Sequence, residues 1–363
     1  MADRLAAVTE PDAVELTTID ARRPYAPSWL SRLMDWVERL PLPAWGFYTS
    51  LLVVLYALYT VVKWLDGIYP AGTFSLFHLV IVGLIVYAMA GSHYLSRFAG
   101  RVLDTFRPLL RDGGDYPRLR YQLTRSSWRA SLLASLAGVA WAAFGLLFAT
   151  PREYWTGREM FLPGYSAVLD TIFYLMLWGV VGAVLHQTVH QLRMVSHIYA
   201  EHTRFDLFRR GPLYEFSRLT ARGGVLNMAG AYVWFAADPA GLPLNVPSIV
   251  VVLVFSGVAL VAFVQPLRGL HDLLLREKQE RLDQNGRQLD AITARLHEGV
   301  GKGDLDDMPK LESAISSLVA ERGVLEKIRT WPWEPETARW VLTAVLLPLV
   351  LWFVQRLLER IAF

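Results

Sequence analysis

Apolar residues in this chain fall in long blocks separated by short charged stretches, and several blocks have the length of a membrane-crossing helix. A helix needs about 20 mostly apolar residues to cross roughly 30 Å of hydrocarbon. The blocks place spans at 44–66, 73–95, 128–150, 163–190, 221–237, 247–265 and 338–357. Pro43, Pro70, Pro163, Pro247 and Pro266 stand where such helices should begin or end, since proline lacks the amide that a helix interior requires. The fifth block is short and glycine-rich and carries Asn227, as a half-span buried in the bundle would. The pattern therefore predicts an all-α fold: a polytopic α-helical membrane protein of about seven transmembrane helices, or six if the last is re-entrant, with a cytoplasmic antiparallel helical hairpin.

The hairpin is read from residues 267–330. Leu275, Leu282, Leu289 and Leu296 recur every seven residues, with Ile292 between them. After a glycine- and aspartate-rich break at 299–307, Leu311, Ile315, Leu318 and Leu325 continue at helical spacing. A heptad seam followed by a turn and a second seam is the signature of two paired helices. The remaining organisation is a mobile cytoplasmic tail over 1–27, an interfacial amphipathic helix over 28–43 and a transmembrane bundle over 44–266 with cytoplasmic loops 96–127 and 191–222. A C-terminal transmembrane segment over 331–363 follows the hairpin. In 28–43, Trp29, Leu30, Leu33, Trp36, Val37 and Leu40 share one face, as expected of a helix lying at headgroup level. In loop 96–127, Phe98, Val102, Phe106, Leu109 and Leu110 alternate with Arg97, Arg101, Arg107 and Arg111. That spacing predicts a basic amphipathic helix on the anionic inner leaflet.

Composition agrees with this picture: 53% of the 363 residues are hydrophobic and 19% charged. The net charge of +3 matters less than where the charges lie. Of the 36 basic residues, all but Lys63, Arg152, Arg158, Arg356 and Arg360 fall on one side of the spans. Basic residues mark the cytoplasmic side, so the N-terminus is expected inside a plasma or inner membrane. The absence of cysteine excludes disulfides, thiolate metal sites and thiol nucleophiles. No phosphate-binding loop or zinc-protease motif is present, and nothing in the charge pattern points to a nucleic acid.

Candidate chemistry is confined to a few polar residues in the spans. Asp170 lies about seven residues inside the outer end of the fourth span, among Val168, Leu169, Ile172 and Phe173. A carboxylate in hydrocarbon is costly and by default suggests function. His78 lies at a similar depth in the second span and is the first-choice partner; the plainer alternative is a structural hydrogen bond. His186, His190, His197 and Glu201 fall on one face of the fourth helix, the pattern of a divalent-metal or haem site. The plainer alternative is the wet face of a helix leaving the membrane; His78, His93, His202 and His271 would have to complete such a site. Ala130, Ala134, Gly138 and Ala142 form a small-residue stripe for close helix packing. Lys63 and Asp66 are expected to pair at the outer interface.

The leading expectation is a transport- or channel-like bundle with Asp170 and His78 on a polar path. The alternative is a non-catalytic scaffold that recruits a partner through 267–330, a cytoplasmic protein or a second copy of the chain. A metal- or haem-binding membrane protein comes third; no cofactor is otherwise predicted.

Overall fold

The computed structural model describes residues 24–110, 115–148, 164–203, 211–236, 246–302, 308–328, 339 and 343. Among these the chain is all-helical, without a strand. The helices are α1 (Trp29–Arg39), α2 (Ala44–Leu65), α3 (Leu76–Phe106), α4 (Tyr116–Thr124), α5 (Trp128–Phe148), α6 (Ser166–Glu201), α7 (Gly211–Ala236), α8 (Val246–Lys302) and α9 (Met308–Glu326).

Four helical segments are long and apolar enough to cross a membrane: α2, α3 with its following turn, the first 20 residues of α5, and α6. Their apolar windows are buried inside the protein to very different degrees, 56% in α3 and 44% in α6 against 17% in both α2 and α5. So α3 and α6 form the centre. α2 and α5 are peripheral and expose Val53, Val54, Leu58, Leu133, Phe144 and Leu147, a surface that lipid tolerates and water does not. α7 covers residues 221–236 of the expected fifth span, and the first part of α8 covers the sixth; all of the seventh but residues 339 and 343 lies outside the described residues.

Small residues bring α5 and α6 into backbone contact. A Cβ added to Gly138 would stand 2.1 Å from the Trp178 carbonyl oxygen, and one added to Gly182 would stand 2.2 Å from that of Ala134. The expected stripe on α5 thus meets a second one, Gly179 and Gly182, on α6. Removing both side chains lets the helices approach until dispersion contacts run along the whole seam.

Several expectations are corrected. Residues 96–106 are not a separate helix on the leaflet but the continuation of α3. Phe98, Val102, Phe106, Leu109 and Leu110 bury their apolar face in a core shared with Val195, Ile198, Tyr199, Phe216 and Leu219. The 36-residue α6 outruns the hydrocarbon and gives that face protein to pack on. Helix α1 also packs on protein, with Leu30, Met34 and Val37 in a second core beside α2, α3, α5 and α6. Ser28 caps its first turn, and Trp29 donates to Ser135 Oγ at 3.1 Å.

The chain just before α1 is held as well. Tyr25 donates to the Arg125 carbonyl at 2.8 Å, and Tyr121 donates to the Tyr25 carbonyl at 2.8 Å. Burial and the neighbouring Tyr121 push the Tyr25 phenol well above its ordinary range, so it remains a neutral donor. Residues 1–23 lie outside the described residues.

Pro266 does not end a helix. α8 runs without a break for 57 residues, about 85 Å at 1.5 Å per residue. A proline in a helix interior forfeits one backbone hydrogen bond, and here the helix continues past it. α9 returns alongside it: Lys278 Nζ donates to the carbonyls of Glu326 and Ile328, and Asn285 Nδ2 to that of Leu318. Of the expected seam, Leu282, Leu289 and Leu296 are half-buried. It fails at Leu275, which is exposed, whereas its neighbour Leu274 is buried with Leu325 and Ile328 in the core of α3, α6 and α7. At that level Leu274 packs on the bundle together with Leu325 of α9.

Candidate functional site

Asp170 stands on the fifth residue of α6, about 6 Å along the axis from Ser166. It is shallower than the sequence suggested, yet fully buried at 0% exposure. Two side chains from one face of α2, four residues apart, reach it. Lys63 Nζ donates to Oδ2 at 2.8 Å, and the Tyr59 hydroxyl donates to Oδ1 at 2.5 Å. Lys63 is itself 1% exposed, so both charges have been removed from water and stabilise one another in a low-dielectric setting.

His78 belongs to the same group. Its ring packs on Tyr59 with centroids 4.4 Å apart, and Phe173 stacks on Tyr59 at 4.8 Å. Lys63, expected to pair with Asp66, turns inward instead. Asp66 Oδ2 accepts from the Ser166 amide at 2.8 Å and so satisfies an orphan donor at the first turn of α6. That hydrogen bond holds the Asp66 carboxyl below its usual range. Gly164 makes room for it: at φ +154 it carries no Cβ, which would otherwise lie 2.1 Å from Asp66 Oδ2.

Lys63 and Tyr59 are the residues missed from sequence. A signal for Lys63 was present, because Lys63 and Asp170 are opposite charges at similar depth from the same side. What that depth does not give is the direction each side chain faces around its helix.

The histidine face of α6 divides into two groups. His190 Nε2 lies 2.7 Å from the Gln122 carbonyl and 3.1 Å from the Tyr25 hydroxyl; the His186 ring stacks beside it at 6.2 Å. Further along, His197 Nδ1 lies 3.2 Å from Glu201. His202 joins this pair, the ligand atoms of the three lying within 4.8 Å of one another. This trio is the set among the described residues that could hold a divalent cation. His93 is committed elsewhere, between Tyr48 and Glu38 at 3.2 Å each.

Between the Asp170 cluster and Gln187, the buried residues of α6 are Phe173, Tyr174, Leu177, Gly179, Val180 and Ala183. The polar cluster at one end of α6 is therefore separated from the polar residues at the other by about 25 Å of mainly apolar packing. Such an arrangement neutralises a charge and joins two helices.

Comparison with protein-family models, with curated proteins and with solved structures finds no match.

Proposed function

We propose that this seven-span membrane protein is a non-catalytic scaffold that presents a cytoplasmic coiled-coil hairpin, residues 267–330, to a protein partner. The observation that carries the reading is the unbroken α8, which joins the bundle to the pair formed with α9. Burial of Leu274, Leu325 and Ile328 in the core of α3, α6 and α7 supports a firmly seated arm. Beyond that base the arm exposes Val300 and Val319. The one-sided distribution of basic residues supports placing the arm, and the N-terminus, in the cytoplasm.

A photo-crosslinker placed at Val300 or Val319 in native membranes is expected to give a discrete adduct, and one at the lipid-facing Leu58 none. Leu282→Asp with Leu289→Asp should abolish the adduct, because a seam charge must be buried unpaired or the helices must part. Absence of adducts at both arm positions would sink the scaffold reading.

A transport- or channel-like bundle is the second reading, favoured by the buried Asp170 itself. In proteoliposomes, Asp170→Asn would then abolish a measurable ion or proton flux while leaving insertion intact. Such a result would place transport first.

A further inference from the structure

At one end of the bundle α3 and α7 meet through glycines. A Cβ on Gly230 would lie 3.3 Å from the Tyr87 ring, and one on Gly223 3.9 Å from Leu95; the Tyr87 hydroxyl donates to the Leu226 carbonyl at 2.9 Å. This close approach sets Arg222 of α7 against exposed Tyr94 and buried Phe98 of α3. Its guanidinium lies 4.0 Å from the Phe98 ring centroid, and Nη1 donates to the Tyr94 hydroxyl at 2.9 Å. The Arg101 guanidinium lies 5.5 Å from the same Phe98 centroid. Two cations are thus ordered on one aromatic ring, itself stacked on Tyr94 at 6.2 Å.

Neither guanidinium has a carboxylate partner among the described residues, whereas neighbouring Arg97 faces Glu38 at 3.8 Å and Arg120 faces Asp104 at 3.8 Å. Both Arg101 and Arg222 are exposed, as is Tyr94. Depth decides what they face. Tyr94 lies about 27 Å along α3 from Leu76, and Arg101 about 37 Å. With roughly 30 Å of hydrocarbon, the phenol falls at the membrane boundary and the guanidiniums in the headgroup layer.

We propose that Arg101 and Arg222 clamp the phosphate of an anionic phospholipid in the cytoplasmic leaflet, with Tyr94 lining the top of the acyl chain. A guanidinium offers two parallel donors matched to phosphate oxygens, and the aromatic contacts hold both forks in place before the lipid arrives. An excess of two positive charges selects a headgroup without an ammonium of its own. Basic pockets between membrane helices are suited to such lipids. The site rests on the membrane reading and not on the partner of the arm, so a failed cross-link at Val319 leaves it standing.

The test uses the full chain, purified in detergent, with its melting temperature followed as phosphatidylglycerol or phosphatidylcholine is added. Phosphatidylglycerol is expected to raise the melting temperature of the wild type above the phosphatidylcholine value. Arg101→Gln with Arg222→Gln should remove that difference while matching the wild-type value in phosphatidylcholine. Should the glutamine variant fold poorly, Arg101→Lys with Arg222→Lys retains the charge and is expected to keep only part of the shift. Equal shifts from the two lipids, an undiminished shift in both variants, or the same shift from lipid-free glycerol 3-phosphate would each overturn the proposal.

Discussion

Lys63 reaches past Asp66, three residues along its own helix, to bind Asp170 at 2.8 Å on α6. The choice follows from what each carboxylate has already. Asp66 is engaged by the Ser166 amide at the bundle rim, whereas Asp170 lies under that rim, fully buried.

Breaking the Lys63–Asp170 pair should therefore cost more than replacing it. Lys63→Ala is expected to destabilise the protein by about 3–5 kcal/mol, the usual consequence of leaving one buried charge alone. The double variant Lys63→Leu with Asp170→Leu should recover most of that loss. Denaturation in mixed micelles measures both; a single variant as stable as the double one would contradict the coupling.

The α5–α6 seam makes a sharper mechanical prediction. Gly138→Ala places a methyl group where the Trp178 carbonyl already lies, so the helices must separate, at a cost of about 1–3 kcal/mol. Gly83→Ala, with nothing within 4 Å of the added carbon, should be neutral or slightly stabilising, because alanine favours the helix. Thermal melts of the two variants side by side check the difference.

Acid should loosen the rim. The Asp66 carboxyl is held below its usual range by the Ser166 amide. Its contribution is therefore full above the unfolded value of about 3.9 and falls away as pH drops through the lowered value. Hydrogen exchange at the first turn of α6 should quicken in that acid window, and Asp66→Ala, which removes the acceptor, should show quick exchange already at neutral pH with no further acid step.

Asn285 sits in the arm seam, 3% exposed, and donates to the Leu318 carbonyl at 3.0 Å. A lone seam asparagine fixes register at some expense of stability. Asn285→Leu is expected to raise the melting temperature of the arm while broadening the distance distribution between spin labels at Arg287 and Ser317. An unchanged, narrow distribution would assign register to the leucines alone.

Topology is directly checkable. Reporters fused near Gly113 and Gly303 should report cytoplasm, and those near Gly157 and Gly241 the far side. One reversed site would break the assignment at that span.

What was legible in the sequence was whatever depends on one helix at a time. The apolar blocks of α2, α3, α5 and α6, the stripe ending at Ala142, and the burial of Asp170 all follow from composition and period along a single segment. What was not legible depends on which faces meet. Phe98 to Leu110 has the same amphipathic spacing whether it covers lipid or protein, and only the length of α6 and the position of Phe216 decide between them. Lys63 three residues from Asp66 looks like a local pair until α6 presents Asp170. Pro266 looks like a terminator because proline removes one helical hydrogen bond, yet α8 continues through it.

The continuity of α8 has a mechanical consequence. From Pro266, where the Ala262 carbonyl has no amide to receive, the helix extends 36 residues to Lys302, about 54 Å. A bend of roughly ten degrees at that weak point, small for a proline in a long helix, would sweep the far tip through about 9 Å. An ångström-scale displacement at the base would thereby be magnified at a distance, as by a long lever on a short fulcrum.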